Sequence, residues 1–345
     1  LNVTAVVTLN NEETADDLGD LIEYAHGSQD TLWGRQRIID GRLHTYKPFV
    51  VEIGNEQSVT DTFVRQVSEG ASAMVTRALS IGMDENLLRF AIGGWLDMAQ
   101  INTAVCDRMV NATKWLGSRI MWDVHVGGEG PSDADHGIAV LDMAIKMLDR
   151  LGSSMNLAVF EENAQTHDVT RGLNRARYAN YYASLSQRFV LSTTVNGLQV
   201  FGHNDNGWDQ GMVFLTPDSV WLSPYGFAQA MIASAFGTVI LHVENDEAVA
   251  VPMLDVSAAR TDDGSTFIMR IVNAHREDPH IFVRLPDGIT CRSVVMSILR
   301  VPANMTSLAD GLNPPSNMTQ VQPSVKNSTA EHLGVNGLDV PPLSF

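Results

Sequence analysis

Carboxylic acids and histidines recur where short apolar runs of this sequence end. Four such ends carry them: Asn55-Glu56, Asp123 with His125, Glu161-Glu162-Asn163, and His203-Asn204-Asp205. Two carboxylates presented from different strand ends meet the requirement of glycoside hydrolysis, in which one acid protonates the leaving oxygen and the other attacks or assists at the anomeric carbon. A solvated loop carboxylate or a helix cap explains any one of these acids equally well. The pattern therefore indicates a glycosidase only when the four ends are taken together.

The apolar runs alternate with segments of helical periodicity from residue 1 to about residue 236. The predicted strands are 3–8, 49–53, 87–91, 120–125, 156–161 and 198–203, and the predicted helices are 12–26, 60–79, 98–113, 133–151, 170–189 and 224–236. This alternation predicts a parallel sheet covered on both faces. Six βα units suit a (β/α)8 barrel without its first two units, and an open doubly wound sheet is the alternative. In such a barrel the strands' carboxyl ends carry the active site.

The pattern of the sequence changes after about residue 237. Short strand-like runs (266–272, 281–285 and 293–299) are separated by turn-rich stretches, and prolines and asparagines crowd the end. This pattern predicts an antiparallel β-sandwich over residues 237–345.

The composition limits the kinds of molecule that the protein is expected to bind. The net charge is −17, from 40 acidic and 23 basic residues, which disfavours a nucleic-acid partner because phosphate backbones are bound by clustered lysine and arginine. No apolar run reaches the length of about 20 residues that a membrane helix needs. Cys106 and Cys291 are interpreted as two isolated thiols. Five Asn-x-Ser/Thr sequons favour a secreted, glycosylated protein: Asn2, Asn111, Asn304, Asn317 and Asn327.

A longer motif carries a family resemblance. Residues 20–57 contain Glu23-Tyr24 with Gly27, then Trp33-Gly34 with Arg37, then Ile53–Glu56. This series resembles the family-51 glycoside hydrolases, the α-L-arabinofuranosidases. The similarity continues through WDVHVGG (122–128), LAVFEENA (157–164) and WDQGMVFLTPDSVWLSP (208–224), and it extends over essentially the whole chain.

The resemblance implies a fold and an activity. The fold would be an N-terminally truncated (β/α)8 TIM barrel over residues 1–236, followed by a jelly-roll-like β-sandwich over residues 237–345. The activity would be removal of terminal non-reducing α-L-arabinofuranosyl residues from arabinose-containing polysaccharides by double displacement, without a cofactor. The family's first two strands fall upstream of Leu1, so we expect the chain to be part of a longer protein.

The resemblance also implies roles for single residues. Glu56 would be the general acid/base, and Asn55 would hydrogen-bond the 2-hydroxyl of the sugar. Alignment on the family's Glu-Tyr-Ala makes Glu162 the nucleophile, with Asn163 where tyrosine is usual, and Glu161 is the alternative nucleophile.

Further residues are expected to contact substrate or to support the site. His125 matches the family's Asp-x-His segment, and Gln210 matches a glutamine that contacts arabinose. Trp33 and Trp208 would stack on sugar or pack in the core. Glu52 is expected to be structural, and His203 and Asn204 are weaker candidates. A metal at His125 is disfavoured because no second ligand lies at a useful spacing.

The sequence departs from the family after His125. Val126-Gly127-Gly128 stands where tyrosines are usual, so a glycosidase acting on a xyloside or a β-glucan is an alternative. A catalytically degenerate carbohydrate-binding protein is another, although a Glu→Gln change that would signal it is not seen. The family also contains homo-oligomers, and no membrane partner is expected.

Overall fold

The computed structural model describes residues 4–10, 12–95, 104–130, 132–204, 207–244, 254–274, 279–284, 291–302, 305, 307–329, 338–342 and 344–345. Contacts within the chain divide it into two compact units. The first unit comprises Leu1–His125, Ala139–Glu161 and Gln187–Thr193, and the second comprises Val126–Ile138, Glu162–Ser186 and Thr194–Phe345.

The described strands and helices alternate through the first two thirds of the chain, and the last third consists mainly of strands. The strands are β1 (Val6–Leu9), β2 (Val50–Gln57), β3 (Arg89–Gly94), β4 (Ile120–Asp123), β5 (Val126–Gly127), β6 (Asn156–Val159), β7 (Glu162–Asn163), β8 (Phe189–Ser192), β9 (Leu198–Val200), β10 (Val213–Leu215), β11 (Val220–Leu222), β12 (Val239–Leu241), β13 (Leu254–Arg260), β14 (Phe267–Asn273), β15 (His280–Ile281), β16 (Val294–Ile298), β17 (Ser324–Ser328) and β18 (Leu338–Asp339). The helices are α1 (Ala15–His26), α2 (Leu32–Ile39), α3 (Asp61–Ser80), α4 (Ala104–Thr113), α5 (Asp133–Arg150), α6 (Val169–Ser184) and α7 (Pro224–Ser234).

A parallel sheet forms the centre of the first unit. Its six strands are hydrogen-bonded in the order β1-β2-β3-β4-β6-β8, and every neighbouring pair is parallel. The strands follow one another in chain order, whereas a doubly wound sheet reverses its order at a switch point. The order therefore confirms the mixed α/β class and matches the winding of a (β/α)8 barrel. The doubly wound alternative is wrong.

The sixth parallel strand was predicted in the wrong place. Leu198–Val200 is a strand, but it pairs with β10 in a separate three-stranded sheet of the second unit. The sixth strand is Phe189–Ser192, which pairs with β6. The sequence pattern extends the predicted helix to Phe189, the first residue of this strand, but α6 ends at Ser184 and a 3-10 turn over Ser186–Arg188 intervenes. His203 and Asn204 are exposed and follow no strand of the parallel sheet, and Asp205 lies outside the described residues.

The strands of the first unit form because apolar, β-branched residues face protein on both sides. Val50, Val51 and Ile53 of β2 are all buried, as a strand covered on both faces requires. One face of the sheet holds an apolar cluster of Val50, Ala91, Met121, Ala158 and Phe160, with Val6 and Leu191 packed against it. This packed sheet therefore fixes the positions of the residues that follow the carboxyl ends of its strands.

The corner between α1 and α2 explains much of the first sequence motif. Helix α2 was not predicted; it begins after the Thr31 cap, whose hydroxyl accepts from the Gly34 amide. Arg37 is 2% exposed, and its Nη1 donates to the carbonyls of Tyr24 at 2.8 Å and Gly27 at 2.9 Å. A Cβ on Gly34 would lie 2.1 Å from the Ser28 carbonyl oxygen. These motif residues therefore hold two helices together.

Helix α6 runs through the core of the second unit. Twelve of its residues are buried, far more than one face of an amphipathic helix provides. Its apolar cluster consists of Val169, Leu173, Ala176, Ala228, Val272, Leu299 and Val321.

The end of the chain is antiparallel, as predicted. Strand β13 pairs with β12 and β14, β15 pairs with β18, and β16 pairs with β17. The assembly of these pairs into a sandwich, and the boundary at residue 236, stay predictions. No helix among the residues described combines the length and apolarity needed to cross a membrane.

Candidate active site

Glu56 sits on a backbone irregularity at the end of β2. The β2–β3 register runs regularly to Ile53 and resumes only at Gln57, so Gly54, Asn55 and Glu56 bulge out of the ladder. Gly54 has a φ of 76° and Glu56 a φ of 50°, a left-handed conformation that costs a residue with a Cβ about 1–2 kcal/mol. Bulges beside active sites re-aim side chains. The strand therefore turns Asn55 and Glu56 out towards solvent, and both are exposed.

A glycine on the next strand makes room for this bulge. A Cβ on Gly93 would lie 2.2 Å from the carbonyl oxygen of Gly54, a separation that no side chain tolerates. The Trp95 amide then donates to the carbonyl of Gln57 at 2.8 Å, which ties β3 to the end of the bulge. The local sequence thus builds the bulge from both of its strands.

His125 connects carboxylates from three strand ends of the first unit. Its Nδ1 lies 3.0 Å from Oε1 of Glu56 and 3.6 Å from Oε2 of Glu161. Its Nε2 lies 2.8 Å from Oδ2 of Asp123. The acid of β2, the acid after β6, and Asp123 and His125 at the end of β4 are therefore brought together, as the strand-end pattern predicts.

The carboxylates around His125 change its charge. Burial opposes the imidazolium form, but the hydrogen bond to Asp123, the charges of Asp123 and Glu161, and the hydrogen bond to Glu56 outweigh it and raise the pKa of His125 to about 9. The ring is therefore charged at neutral pH and donates from both nitrogens. Its side chain is 9% exposed, so the ring itself is shielded from water, whereas Glu56 is open to solvent.

Glu52 lies beside this group, which the sequence did not reveal. Its side chain was expected to be structural, but its carboxyl is 3% exposed and approaches both Asp123 and His125. The Thr8 hydroxyl donates to its Oε2 at 2.5 Å. Burial, followed by the hydrogen bond and charge of Asp123, raises the pKa of Glu52 to about 8. The only signal in the sequence was an acid inside an otherwise apolar strand.

Glu162 has different surroundings, within the second unit. It is 1% exposed, and its Oε2 accepts from Nη1 of Arg175 at 2.9 Å. Nη2 of Arg171 donates to its backbone carbonyl at 2.8 Å. Burial, followed by the charge of Glu162, raises the pKa values of Tyr178 and Tyr182. Glu162 is therefore a buried, ion-paired carboxylate.

Asn163 and Gln210 lie together in the second unit. Gln210 is 3% exposed; its Oε1 accepts from the Ala164 amide at 2.8 Å and from Nη1 of Arg171 at 3.2 Å, and its Nε2 lies 3.5 Å from Oδ1 of Asn163. The Gln210 amide thus holds the segment after Glu162 in place. Its predicted contact with sugar stays a prediction.

The tryptophans differ in their surroundings. The backbone amide of Trp33 donates to Oε1 of Glu23 at 2.9 Å, within the α1–α2 corner. The carbonyl of Trp208 accepts from Nε2 of Gln199 at 3.0 Å. Trp95, which was not predicted as a site residue, is 39% exposed and meets the His125 ring edge to face at 5.9 Å between centroids. Its signal was an aromatic residue directly after the end of a strand.

Comparisons with known proteins add to this geometry. No family model and no curated protein sequence matches the chain. Its structure is similar to an α-L-arabinofuranosidase from Thermotoga maritima in complex with arabinose, with a TM-score of 0.73 at 16% identity over 98% of this chain and 74% of that one. The family-51 enzyme from Thermotoga petrophila RKU-1 gives a TM-score of 0.75 at 16% identity, over 99% of this chain and 74% of that one. The chain shares their fold.

A more distant similarity reaches another glycosidase family. A family-86 β-porphyranase from Bacteroides plebeius matches with a TM-score of 0.58 at 10% identity, over 98% of this chain and 61% of that one. The neighbours named here are thus glycoside hydrolases with different substrates. The similarity to all three is one of fold.

Proposed function

We propose that the protein is a retaining glycoside hydrolase that removes terminal non-reducing α-L-arabinofuranosyl residues from arabinose-containing polysaccharides. In this proposal the parallel sheet belongs to a (β/α)8 barrel, and residues 237–345 form a β-sandwich. One observation carries the proposal. Carboxylate oxygens of Glu56 and Glu161 and a ring nitrogen of His125 lie within 4.8 Å of one another, after the carboxyl ends of parallel strands.

The closeness of the two carboxylates supports a retaining mechanism. Retaining glycosidases hold their two carboxyl groups about 5–5.5 Å apart, whereas inverting enzymes keep about 6.5–9.5 Å to admit a water molecule. Oxygens of Glu56 and Glu161 within 4.8 Å fit the shorter range. This closeness favours the retaining arrangement over the inverting one.

The reaction proceeds in two displacements. Glu56 donates its proton to the glycosidic oxygen while a carboxylate attacks the anomeric carbon, so the bond to the leaving group breaks and a glycosyl ester forms. Glu56, now ionised, takes a proton from water, and the resulting hydroxide attacks the same carbon and releases the sugar and the carboxylate. Acid, base and nucleophile suffice, so the proposal includes no cofactor in the chemical steps.

The contacts favour Glu161 over Glu162 as the nucleophile. Glu161 has a side chain that is 29% exposed and lies beside His125 and Glu56, as an attacking group must be accessible to substrate. Glu162, which the alignment on alanine prefers, is 1% exposed and paired with Arg175. We assign the attack to Glu161 and keep Glu162 as the competing assignment.

Binding of the sugar is assigned to residues around the bulge. Asn55 is exposed next to Glu56, where its amide can reach the 2-hydroxyl of a sugar whose anomeric carbon faces the carboxylates. Both ring nitrogens of His125 are engaged, so its main role is to orient Glu56. Contacts of Asn163 and Gln210 with substrate stay predictions. Trp95 offers an exposed ring on which a sugar can stack.

A secreted location is part of the proposal. Three sequon asparagines, Asn111, Asn317 and Asn327, are exposed, and Asn2 and Asn304 lie outside the described residues. Exposed sequons accept glycans without disturbing the core. Loss of mass on treatment with an N-glycosidase, for protein secreted by a eukaryotic host, tests this point.

The activity is tested with the p-nitrophenyl α-L-arabinofuranoside, using wild type and Glu56→Ala. The proposal predicts turnover by the wild type and loss in the variant. Azide, which replaces the base-activated water, is expected to restore release of nitrophenol and yield a glycosyl azide. Sugar binding without turnover of any glycoside would instead support the degenerate carbohydrate-binding protein.

A second candidate keeps the mechanism and changes the sugar. Strand β5 replaces the tyrosines expected after His125 with Val126 and Gly127, and the fold is shared with a β-porphyranase. A panel of p-nitrophenyl arabinofuranoside, xyloside and glucoside separates the candidates. Faster hydrolysis of the xyloside or glucoside would identify a related glycosidase with another specificity.

A further inference from the structure

Three ligating atoms meet beneath the bulge, in the interior of the first unit. They belong to Glu52, Asp123 and His125, and all lie within 4.8 Å of one another. Glu52 and Asp123 are 3% and 2% exposed. Ligands about 2.1 Å from one metal ion lie between about 3 and 4 Å apart. Nε2 of His125 and Oδ2 of Asp123 are hydrogen-bonded at 2.8 Å, so the two atoms would move slightly apart when an ion replaces the proton between them.

Each of these three residues also forms a hydrogen bond through another oxygen or nitrogen of its side chain. Oε2 of Glu52 accepts from the Thr8 hydroxyl at 2.5 Å, and Oδ1 of Asp123 accepts from the Phe160 amide at 2.6 Å. Nδ1 of His125 lies 3.0 Å from Glu56. Metal-binding histidines commonly donate their second N–H to a carboxylate, and ligating carboxylates are themselves hydrogen-bonded. The outer contacts of a metal centre are thus all present.

One atom in the cluster has no partner. Oε1 of Glu52 is buried and accepts no hydrogen bond from the residues that the structure describes. A buried carboxylate oxygen without a partner is costly, because it has lost its water and gained nothing. The Glu52 carboxylate is one of three groups whose ligand atoms lie within 4.8 Å of one another, so an ion among them would satisfy it.

The charge of the cluster also calls for a cation. Within the described part of the chain, neither Glu52 nor Asp123 forms an ion pair with lysine or arginine; Asp123 pairs only with His125. Two buried carboxylates side by side repel each other, and a divalent cation would offset that repulsion more fully than the His125 ring, whose Nε2 proton the ion would replace.

We propose that Glu52, Asp123 and His125 bind one divalent transition-metal ion, for which Zn²⁺ is the best fit. Two carboxylates and an imidazole suit Zn²⁺ or Mn²⁺, whereas Ca²⁺ takes six to eight oxygen ligands and Mg²⁺ retains most of its waters. The ion holds His125, which in turn holds Glu56. The site stands on these contacts and does not depend on the proposed reaction. It departs from the sequence prediction because its ligands come from two strands, where linear spacing gives no signal.

The test measures metal binding by the purified protein. Wild type is stripped with a chelator, equilibrated with Zn²⁺, Mn²⁺ or Ca²⁺, and its metal content is measured by mass spectrometry alongside thermal melting. We expect one equivalent of Zn²⁺ per chain and a higher melting temperature with Zn²⁺. Absence of Zn²⁺ and Mn²⁺ binding, or binding of Ca²⁺ alone, would overturn the proposal.

Three variants locate the ion. Glu52→Gln keeps the shape of a ligand and removes its charge, so it is expected to lower Zn²⁺ affinity by at least about 100-fold; Thr8→Val removes an outer contact and should cost about 10–100-fold. Glu69→Gln changes an exposed acid of α3 and is expected to change nothing.

A proton shared between Glu52 and Asp123 is the competing arrangement. It predicts that Glu52→Gln, which resembles the protonated acid, is tolerated and that all forms bind equally little metal. Equal binding by wild type and Glu52→Gln would also overturn the proposal. If Glu52→Gln does not fold, Thr8→Val against Glu69→Gln decides the location.

Discussion

Glu56 and His125 are 69 positions apart in the sequence, yet Oε1 of the first lies 3.0 Å from Nδ1 of the second. The contact exists because β2 and β4 are parallel strands on either side of β3, so their carboxyl ends reach the same edge of the sheet. The bulge before Gln57 then turns Glu56 towards the histidine. The bulge at Gly54 and Glu56, the space left by Gly93 and the buried ring of His125 together position the Glu56 carboxylate.

The assignment of the nucleophile is tested by two adjacent substitutions. Glu161→Gln is expected to lower kcat on the order of 10⁴-fold or more, because the attacking oxygen is lost. It should leave stability nearly unchanged. Glu162→Gln is expected to lower the free energy of unfolding by about 3 kcal/mol, because Arg175 keeps its buried charge without a counter-charge. Kinetics and urea unfolding of both variants separate the roles, and full activity of Glu161→Gln would transfer the attack to Glu162.

The ion pair of Arg175 with Glu162 supports the second unit. Arg175→Met leaves a carboxylate that is 1% exposed without its partner, and we expect a loss of about 3–5 kcal/mol in the free energy of unfolding. Arg188→Met is the control. Arg188 pairs with Asp149 where the two side chains are 27% and 64% exposed, so its removal should cost no more than about 1 kcal/mol. Equal losses in the free energy of unfolding would show that the buried ion pair stabilises the protein no more than the exposed pair does.

The bulge can be tested through Gly54. Alanine there would adopt a φ of 76° and bring its Cβ to 2.8 Å from Cγ of Gln57 and 2.9 Å from Phe63. We expect destabilisation of about 1–3 kcal/mol and reduced kcat, because the displaced backbone carries Glu56. Gly82→Ala has a φ of 73° with no atom within 4 Å of the new Cβ, so it isolates the backbone cost. If Gly82→Ala reduces kcat as much, the bulge is not what positions the acid.

Stacking of substrate on Trp95 predicts a change in KM. Trp95→Ala is expected to raise KM for the arabinofuranoside roughly tenfold, because an aromatic face contributes about 0.5–1.5 kcal/mol beyond its buried area. Trp115→Ala removes a ring that is 47% exposed and lies 6.0 Å from the Arg119 guanidinium, and it should leave KM unchanged. An unchanged KM for Trp95→Ala would remove this ring from the substrate site.

The sequence predicted six of the seven described α-helices and five of the six parallel strands because their apolar periodicity is strong and local. It also predicted that the polar residues at four strand ends would gather, since parallel strands end at one edge. Glu56, Asp123, His125 and Glu161 do so. Glu162, which the alignment preferred as nucleophile, is instead buried against Arg175, and His203 and Asn204 follow no strand of the sheet. The sixth strand was misplaced because it is short and follows α6 after only four residues, where periodicity cannot fix the boundary. Glu52 was missed because its partners, Thr8 and Asp123, lie on other strands. Helix α2 was missed because it has only eight residues and a weak apolar pattern.

The stereochemistry of the first-formed product tests the central claim most directly. The protein would be incubated with p-nitrophenyl α-L-arabinofuranoside in the presence of methanol, and the methyl glycoside would be followed by proton NMR before it is consumed. Double displacement predicts methyl α-L-arabinofuranoside, with the configuration of the substrate retained. Release of the β-anomer, or of no sugar at all, would contradict a retaining mechanism carried by Glu56 and its neighbouring carboxylate.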